Sequence, residues 1–122
     1  MKKAFFTLLF IFVTNLMESQ TVSIDSLQYY EGKKVTVCAK VQGVFVSNKS
    51  KKTTFINFGK PYPNHKFVVV IFEKDLINFK YDPAIFLKNK TVCITGIVKM
   101  YKGLPEIIAT KEEQIIIQKN KT

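Results

Sequence analysis

The chain has 122 residues and a formal net charge of +10 at pH 7, which leaves room for one domain and attracts polyanions such as nucleic acid, acidic glycans or an anionic membrane surface. Every basic residue is lysine. The arginine fork that reads guanine or clamps phosphate is therefore absent, and little base specificity is expected if nucleic acid binds. Two cysteines without a C-x-x-C pair and a single histidine cannot assemble a zinc site on their own, so we expect no metal and no cofactor.

The N-terminus has the layout of a secretory signal peptide. A Lys-Lys pair precedes an apolar run from Ala4 to Val13, which at ten residues is shorter than the roughly 20 that a membrane span needs. We expect residues 1–20 to be a signal peptide, with cleavage near Ser19 or Gln20. The alternatives are an uncleaved anchor and a buried N-terminal helix.

Residues 21–122 are then expected to form a single exported domain, periplasmic or secreted, with no stable membrane insertion. Removal of the signal peptide leaves 17 lysines and 8 acidic residues, a net charge of +9. Such a charge attracts polyanions through a non-specific field. The alternative is a lysine-rich composition that reflects an AT-rich genome, with much of the charge on a solvated face. The pattern does not indicate an oligomeric state.

The first predicted strand follows a short lead-in. Residues 21–32 favour a helical turn that covers one end of the core with Ile24 and Leu27. From Lys34 to Val46, apolar side chains alternate with polar ones, as in a half-buried strand. Gly43 interrupts the alternation, which predicts a glycine bulge that bends this long strand across two sheets.

Two more strands and a helical segment follow. A polar, basic turn over residues 47–52 precedes a second strand at Thr53–Phe58. Phe67–Phe72 is an apolar run rich in β-branched residues, which predicts a third strand buried on both faces. Between residues 73 and 89 the apolar spacing changes to that of short helical turns, with Asp82-Pro83 as the start of one.

The segment from Lys90 to Glu113 is predicted to be a β-hairpin with a glycine inside its first strand. Its apolar residues alternate on both sides of a Tyr-Lys-Gly-Leu-Pro turn at residues 101–105. Residues 114–117 are expected to extend its second strand. Five strands with a short helical segment between the third and the fourth predict an all-β, five-stranded Greek-key barrel.

Several strand openings and turns form a pattern that is specific in its order and spacing. They are G-K-K-V-T-V-C-A-K-V (Gly32–Val41), F-I-N-F-G-K-P-Y-P (Phe55–Pro63), V-V-V-I-F (Val68–Phe72), N-K-T-V-C-I-T-G-I-V (Asn89–Val98) and Y-K-G-L-P-E-I (Tyr101–Ile107). Together they resemble the OB-fold nucleic-acid-binding family, in particular small exported bacterial OB-fold domains. The resemblance implies an OB-fold barrel from Gly32 to about Ile116.

The resemblance also bears on Cys38 and Cys93. An even pair of cysteines in an exported chain is a disulfide candidate, and in an OB barrel the first and fourth strands, which carry these residues, are neighbours. Both side chains fall on the face turned away from the apolar core. We therefore expect a Cys38–Cys93 disulfide, with two unbridged thiols as the alternative.

OB domains bind on the face of the second and third strands, flanked by the loop between the first two strands and the loop between the last two. Here we expect lysines to follow phosphates and aromatic rings to stack on bases. The candidate nucleic-acid-binding residues are Lys49, Lys51, Lys52, Phe55, Lys60, Tyr62, Lys66, Tyr101 and Lys102. Phe58, Phe67 and Phe72 are expected in the core instead.

No pattern of residues indicates an enzyme. The acidic residues have no catalytic spacing, His65 has no evident partner, and the sequence contains no phosphate-binding glycine loop, no G-x-S-x-G and no metal motif. We therefore expect a non-enzymatic, low-specificity binding protein for single-stranded DNA or RNA, or for another polyanion. The alternatives are an exported OB-fold module that binds a small ligand, an acidic glycan or a protein, and a structural domain without a polyanion ligand.

Overall fold

The computed structural model describes residues 19–49 and 51–119. The predicted signal peptide, residues 1–20, lies outside these ranges apart from Ser19 and Gln20. Within the described ranges, no helix is long and apolar enough to cross a membrane.

The described chain consists of strands joined by short helical turns. The strands are β1 (Gln20–Val22), β2 (Lys34–Val46), β3 (Thr54–Phe58), β4 (Phe67–Ile71), β5 (Thr91–Tyr101), β6 (Leu104–Ile108) and β7 (Ile115–Ile117). The 3-10 helices are Ile24–Tyr30, Glu73–Asn78 and Glu112–Gln114, and the one α-helix in these ranges, α1, is Pro83–Phe86. The barrel strands β2 to β5 begin and end close to the predicted positions, whereas β6 ends earlier than predicted.

Five of these strands close into a barrel, because β5 pairs with β2 as well as with β6. The first half of β2 pairs antiparallel with β5, and its second half pairs antiparallel with β3. The register shifts between Val41 and Gly43, which confirms the predicted bulge in this strand. The order β2, β3, β4, β6, β5, with β4 parallel to β6, is that of the predicted OB-fold barrel.

Alternate residues of the strands fill the interior. Val37 of β2 and Ile94 of β5 are paired across the seam between the two strands, and both are buried. Every residue of β4 is buried, as its continuous apolar run predicts. Leu27 of the first 3-10 helix is also fully buried, so the lead-in covers the core as expected.

The helical segment between β4 and β5 packs Phe79 and Leu87 into the same core. Asp82 precedes α1 and accepts a hydrogen bond from the backbone N–H of Ala84 at 3.0 Å, and Pro83 occupies the first turn. This is the helix start that Asp82-Pro83 predicts, since a capping carboxylate satisfies an end N–H and proline has none to lose.

The chain after the hairpin differs from the prediction, because residues 114–117 do not simply extend β6. β6 ends at Ile108, and the chain leaves the edge of β5 before it returns to that edge as β7. Gln114 fills the interval: its Nε2 donates to the backbone oxygen of Thr95 at 3.1 Å, and its Oε1 accepts from the backbone N–H of Thr110 at 2.7 Å. The side-chain amide of Gln114 thus forms hydrogen bonds with backbone groups where the pairing between β6 and β5 has ended.

Gly96 of β5 lies beside Gln114 and packs against Ile107 of the core. A Cβ atom at Gly96 would overlap Cγ2 of Ile107 and would lie 3.3 Å from Nε2 of Gln114. The glycine inside the first hairpin strand is therefore required by close packing of its neighbours.

Cys38 and Cys93 form the predicted disulfide. They lie directly opposite each other on β2 and β5, and the hydroxyls of Thr36 and Thr95 beside them share a hydrogen bond of 2.8 Å. The disulfide joins residues 55 positions apart in the sequence, so it fastens the two strands whose pairing closes the barrel.

Replacing Gly96 by alanine is expected to lower the free energy of unfolding by about 1–3 kcal/mol, because the added methyl overpacks the core. Urea unfolding of the oxidised protein measures the change. Gly43→Ala is the matched control, since a Cβ there meets nothing within 4 Å and should change stability by no more than about 0.5 kcal/mol. Equal midpoints for the two variants would contradict the packing role of Gly96.

Removing the disulfide through the Cys38→Ala/Cys93→Ala double variant is expected to lower the free energy of unfolding by about 2–4 kcal/mol, because the bond restricts the unfolded chain. Denaturant midpoints with and without a reductant measure this effect. The reductant should lower the midpoint of the parent protein and leave the double variant unchanged. Alkylation of both thiols in the unreduced protein would contradict the bond.

Candidate nucleic-acid interface

One outward surface of the barrel combines aromatic, polar and basic side chains. It consists of β3, β4 and β6 with the adjoining halves of β2 and β5, and we call it the outer face. Because paired residues in a sheet point to the same side, the register arranges its side chains in two rows across the strands. The first row is Phe45, Phe55, Val70 and Ile108, and the second row is Gly43, Asn57, Val68, Glu106 and Lys99.

The first row begins with two phenylalanine rings, which we call the aromatic pair. The ring centroids of Phe45 and Phe55 are 6.2 Å apart, with an interplanar angle of 29°. Phe45 is 58% exposed, whereas Phe55 is half-buried. Val70 and Ile108 continue the row as an aliphatic floor. A ring that is exposed and supported by a second ring offers a surface on which a nucleic-acid base can stack.

The second row carries polar groups at the centre of the outer face. Asn57 and Glu106 are only 5% and 8% exposed, and in the described ranges neither side chain has a hydrogen-bond or ion-pair partner. Gly43 leaves open space beside Asn57, since a Cβ atom there would meet nothing within 4 Å. The row therefore presents an amide and a carboxylate to the space above the sheet.

The loop of residues 47–53 joins β2 to β3 at one end of the outer face, which we call the lysine end. Lys49, Lys51 and Lys52 are all exposed there. The backbone N–H of Lys52 donates to Oε2 of Glu73 at 3.2 Å. This hydrogen bond ties the loop to the 3-10 helix that follows β4, while the three ammonium groups extend into solvent.

The opposite end, which we call the tyrosine end, contains the loop of residues 59–66 and the hairpin turn of Lys102 and Gly103. Phe58 pairs with Phe67, and β6 runs parallel to β4, so both loops lie at the same end of the sheet. Lys102 and Gly103 have φ angles of 49° and 79°, as a two-residue hairpin turn requires. The exposed residues of interest are Lys60, Tyr62, Lys66, Tyr101 and Lys102.

Side chains at the tyrosine end already have partners within their own surroundings. The ring of Tyr62 stacks on His65 with centroids 5.6 Å apart, and Nζ of Lys102 lies 5.4 Å from the ring centre of Tyr101. Nζ of Lys66 forms an ion pair with Asp25 at 3.4 Å, which contributes little to stability because both groups are exposed. These contacts order the loops without covering them.

The structure divides the predicted site residues into three groups. The three lysines of the first loop lie at the lysine end, Phe55 lies on the outer face, and the other five lie at the tyrosine end. Lys66–Asp25 is the one ion pair in the described ranges, so the remaining lysines of the two ends have no carboxylate partner there. Within the same ranges, no group of three His, Cys, Asp or Glu side chains could hold a metal ion.

Two of the three phenylalanines predicted for the core lie there. Phe58 and Phe67 are fully buried and stack with centroids 5.3 Å apart. The prediction for Phe72 is wrong, since this residue is 38% exposed. β4 ends at Ile71, and Phe72 then turns away from the barrel and borders a cleft of about 610 Å³ beside Lys51.

Sequence reasoning missed Phe45, Asn57 and Glu106. Phe45 stands between two valines. Its outward direction could have been predicted only by restarting the alternation of inward and outward side chains at the bulge of Gly43. Asn57 follows Phe55 by two residues, so the period of the strand could have placed it on the same face. Glu106 depends on the parallel pairing of β4 with β6, which no local pattern reveals.

No protein-family model matches the sequence, and the comparison with curated proteins finds no match. Among solved structures, a chain in the crystal structure of yeast Stn1 and Ten1 is similar with a TM-score of 0.60 and 14% identity, over 84% of this chain and 64% of that one. The aspartyl-tRNA synthetase from Entamoeba histolytica is similar with a TM-score of 0.55 and 20% identity, over 81% of this chain and 21% of the synthetase.

The chain thus spans less than two thirds of the first of these structures and about a fifth of the second. At such identities the likeness concerns the arrangement of the strands and not the activities of the whole proteins. The comparisons show the fold of this chain, an OB-fold barrel.

Proposed function

We propose that the mature chain is an exported OB-fold protein that binds single-stranded nucleic acid on its outer face, without catalysis and with low sequence specificity. The observation that carries the proposal is the aromatic pair of Phe45 and Phe55, which lies on a sheet whose two ends both carry lysines without an ion-pair partner among the described residues. Stacked aromatic rings within a cationic groove are the combination that single-strand binding proteins use.

In this proposal the two kinds of side chain have separate tasks. The lysines at the two ends attract the phosphates, because single strands release counterions when phosphates are neutralised. Phe55 and Phe45 stack on bases, with Val70 and Ile108 as an apolar floor. Since lysine is a point charge without a planar fork, these contacts hold the backbone and do not read sequence.

The Cys38–Cys93 disulfide supports the export of the chain. Disulfides form and persist in oxidising compartments such as the periplasm or the extracellular space, and they are rare in the cytosol. The cationic charge, the disulfide and the signal-peptide pattern of residues 1–20 together favour a periplasmic or secreted location.

OB barrels bind oligosaccharides as well as oligonucleotides, so an acidic glycan is the competing ligand. The aromatic pair favours nucleic acid, because a base has a flat π-face to offer and a sulfated sugar does not.

Fluorescence anisotropy with a single-stranded DNA, a single-stranded RNA and heparin, each at two salt concentrations, tests the proposal. We expect both nucleic acids to bind at low salt and to weaken as salt rises. Binding of heparin alone would assign the outer face to glycans, and absence of binding to either nucleic acid at low salt would overturn the proposal.

Replacing Lys51, Lys52 and Lys102 together by glutamine is expected to flatten the salt dependence of binding. Each lost phosphate contact should reduce the slope of log K against log salt by about 0.7, so the triple variant should lose about 2. Lys40→Gln/Lys88→Gln/Lys90→Gln removes the same charge away from the outer face and serves as the control. If both triple variants change the slope equally, the lysines act only through net charge.

Replacing Phe45 and Phe55 together by alanine is expected to weaken single-stranded DNA binding by about 1–3 kcal/mol for each stacked base that is lost, without a change in the salt slope. Titrations at fixed salt measure the loss, and urea unfolding checks that the barrel remains folded. Tyr29→Ala is the control, since Tyr29 is 76% exposed but belongs to the lead-in helix. Undiminished affinity in the folded double variant would exclude stacking on this pair.

A further inference from the structure

Glu106 is a carboxylate in an unexpected place for a chain with a net charge of +10. It lies at the centre of the outer face, paired with Val68 on one side and Lys99 on the other. Its side chain is only 8% exposed. Acidic side chains are rarely buried to this degree unless a cation or hydrogen-bond donors compensate them.

No such compensation occurs within residues 19–49 and 51–119. Glu106 forms no ion pair there, although Lys99 lies directly opposite. The unpartnered polar atoms that are shut off from solvent in these ranges belong to His65, Asp75 and Tyr81, and not to Glu106. Both carboxylate oxygens therefore keep some access to the space above the outer face, where a hydrogen-bond donor of a ligand can reach them.

An ionised carboxylate can only accept hydrogen bonds, and it repels phosphate. The phosphates and deoxyriboses of single-stranded DNA therefore cannot satisfy Glu106, whereas the exocyclic amino group of a base can, as when Glu or Asp accepts from N4 of cytosine. Uracil presents the oxygen O4 at the same position, which a carboxylate repels. Asn57, two strands away at about 10 Å, both donates and accepts, so it does not discriminate between these bases.

On these grounds we propose that Glu106 determines a base preference of the outer face, in which bases with an exocyclic amino group bind more tightly than uracil or thymine. The inference rests on the proposed function, because it assumes that single strands occupy the outer face. It deepens that function by naming the chemical class of base that the outer face prefers. It does not imply that the protein recognises a particular sequence of bases.

The test compares dC and dU dodecamers, whose bases differ only at ring positions 3 and 4, by anisotropy at about pH 8 and low salt. We expect the parent protein to bind the dC oligomer about tenfold more tightly. Glu106→Gln keeps the shape, removes the charge and supplies an N–H that uracil O4 can accept. This variant should bring the two affinities close to equality, mainly through tighter binding of dU.

Two control variants separate base recognition from charge. Glu31→Gln makes the same charge change at an exposed position in the lead-in, and it should leave the tenfold ratio intact. Lys99→Gln should weaken both oligomers equally if Lys99 contacts phosphate. If Glu106 serves only as a counter-charge for Lys99, then Glu106→Gln will shift both oligomers equally and the ratio will not change, which would overturn the inference.

The remaining outcomes distinguish the inference from the function on which it rests. Equal affinity of the parent protein for the two oligomers would overturn the base preference and leave single-strand binding intact. Failure of both oligomers to bind at low salt would overturn the proposed function itself. The first comparison uses the unmodified protein, so it holds even if a variant does not fold.

Discussion

Closure of the barrel along the seam between β2 and β5 is the constraint on which the rest of the structure depends. Without this pairing, both strands would expose an open edge, and the seven strands would form an open sheet in place of a closed barrel. Inside the seam, Val37 packs opposite Ile94. On its outer side, the Cys38–Cys93 disulfide and the Thr36–Thr95 hydrogen bond hold the same strands together. Apolar burial and covalent linkage thus act on one interface.

The outer face depends on this seam because one strand serves both. β2 leaves the seam, bends at the bulge between Val41 and Gly43, and then pairs with β3. The bend turns Phe45 outward and places it beside Phe55. If the seam opened, β2 would be joined to the other strands of the outer face only through β3, so the position of Phe45 would depend on one strand pair.

Charge on the outer face is divided between its ends and its centre. Lysines occupy the loops at both ends, where their long side chains can follow the phosphates of a strand. The rigid centre of the sheet carries Asn57 and Glu106, whose positions are set by register. Backbone contacts position a nucleic acid and base contacts specify it. Lysines in the loops are suited to contacts with the backbone, and polar side chains on the strands are suited to contacts with the bases.

The sequence by itself determined the five barrel strands except for the end of β6, the bulge, the helix start at Asp82-Pro83 and the outward direction of the cysteines, because each depends on residues within a few positions of one another. It also predicted the two loops that carry the lysines. Only the tertiary structure decided that Phe45 meets Phe55, that Gln114 interrupts the edge of β5, and that Glu106 stands at the centre of the outer face. These facts depend on the pairing of strands that are distant in the chain, and periodicity shows which side of a strand is apolar without showing which strand lies next to it.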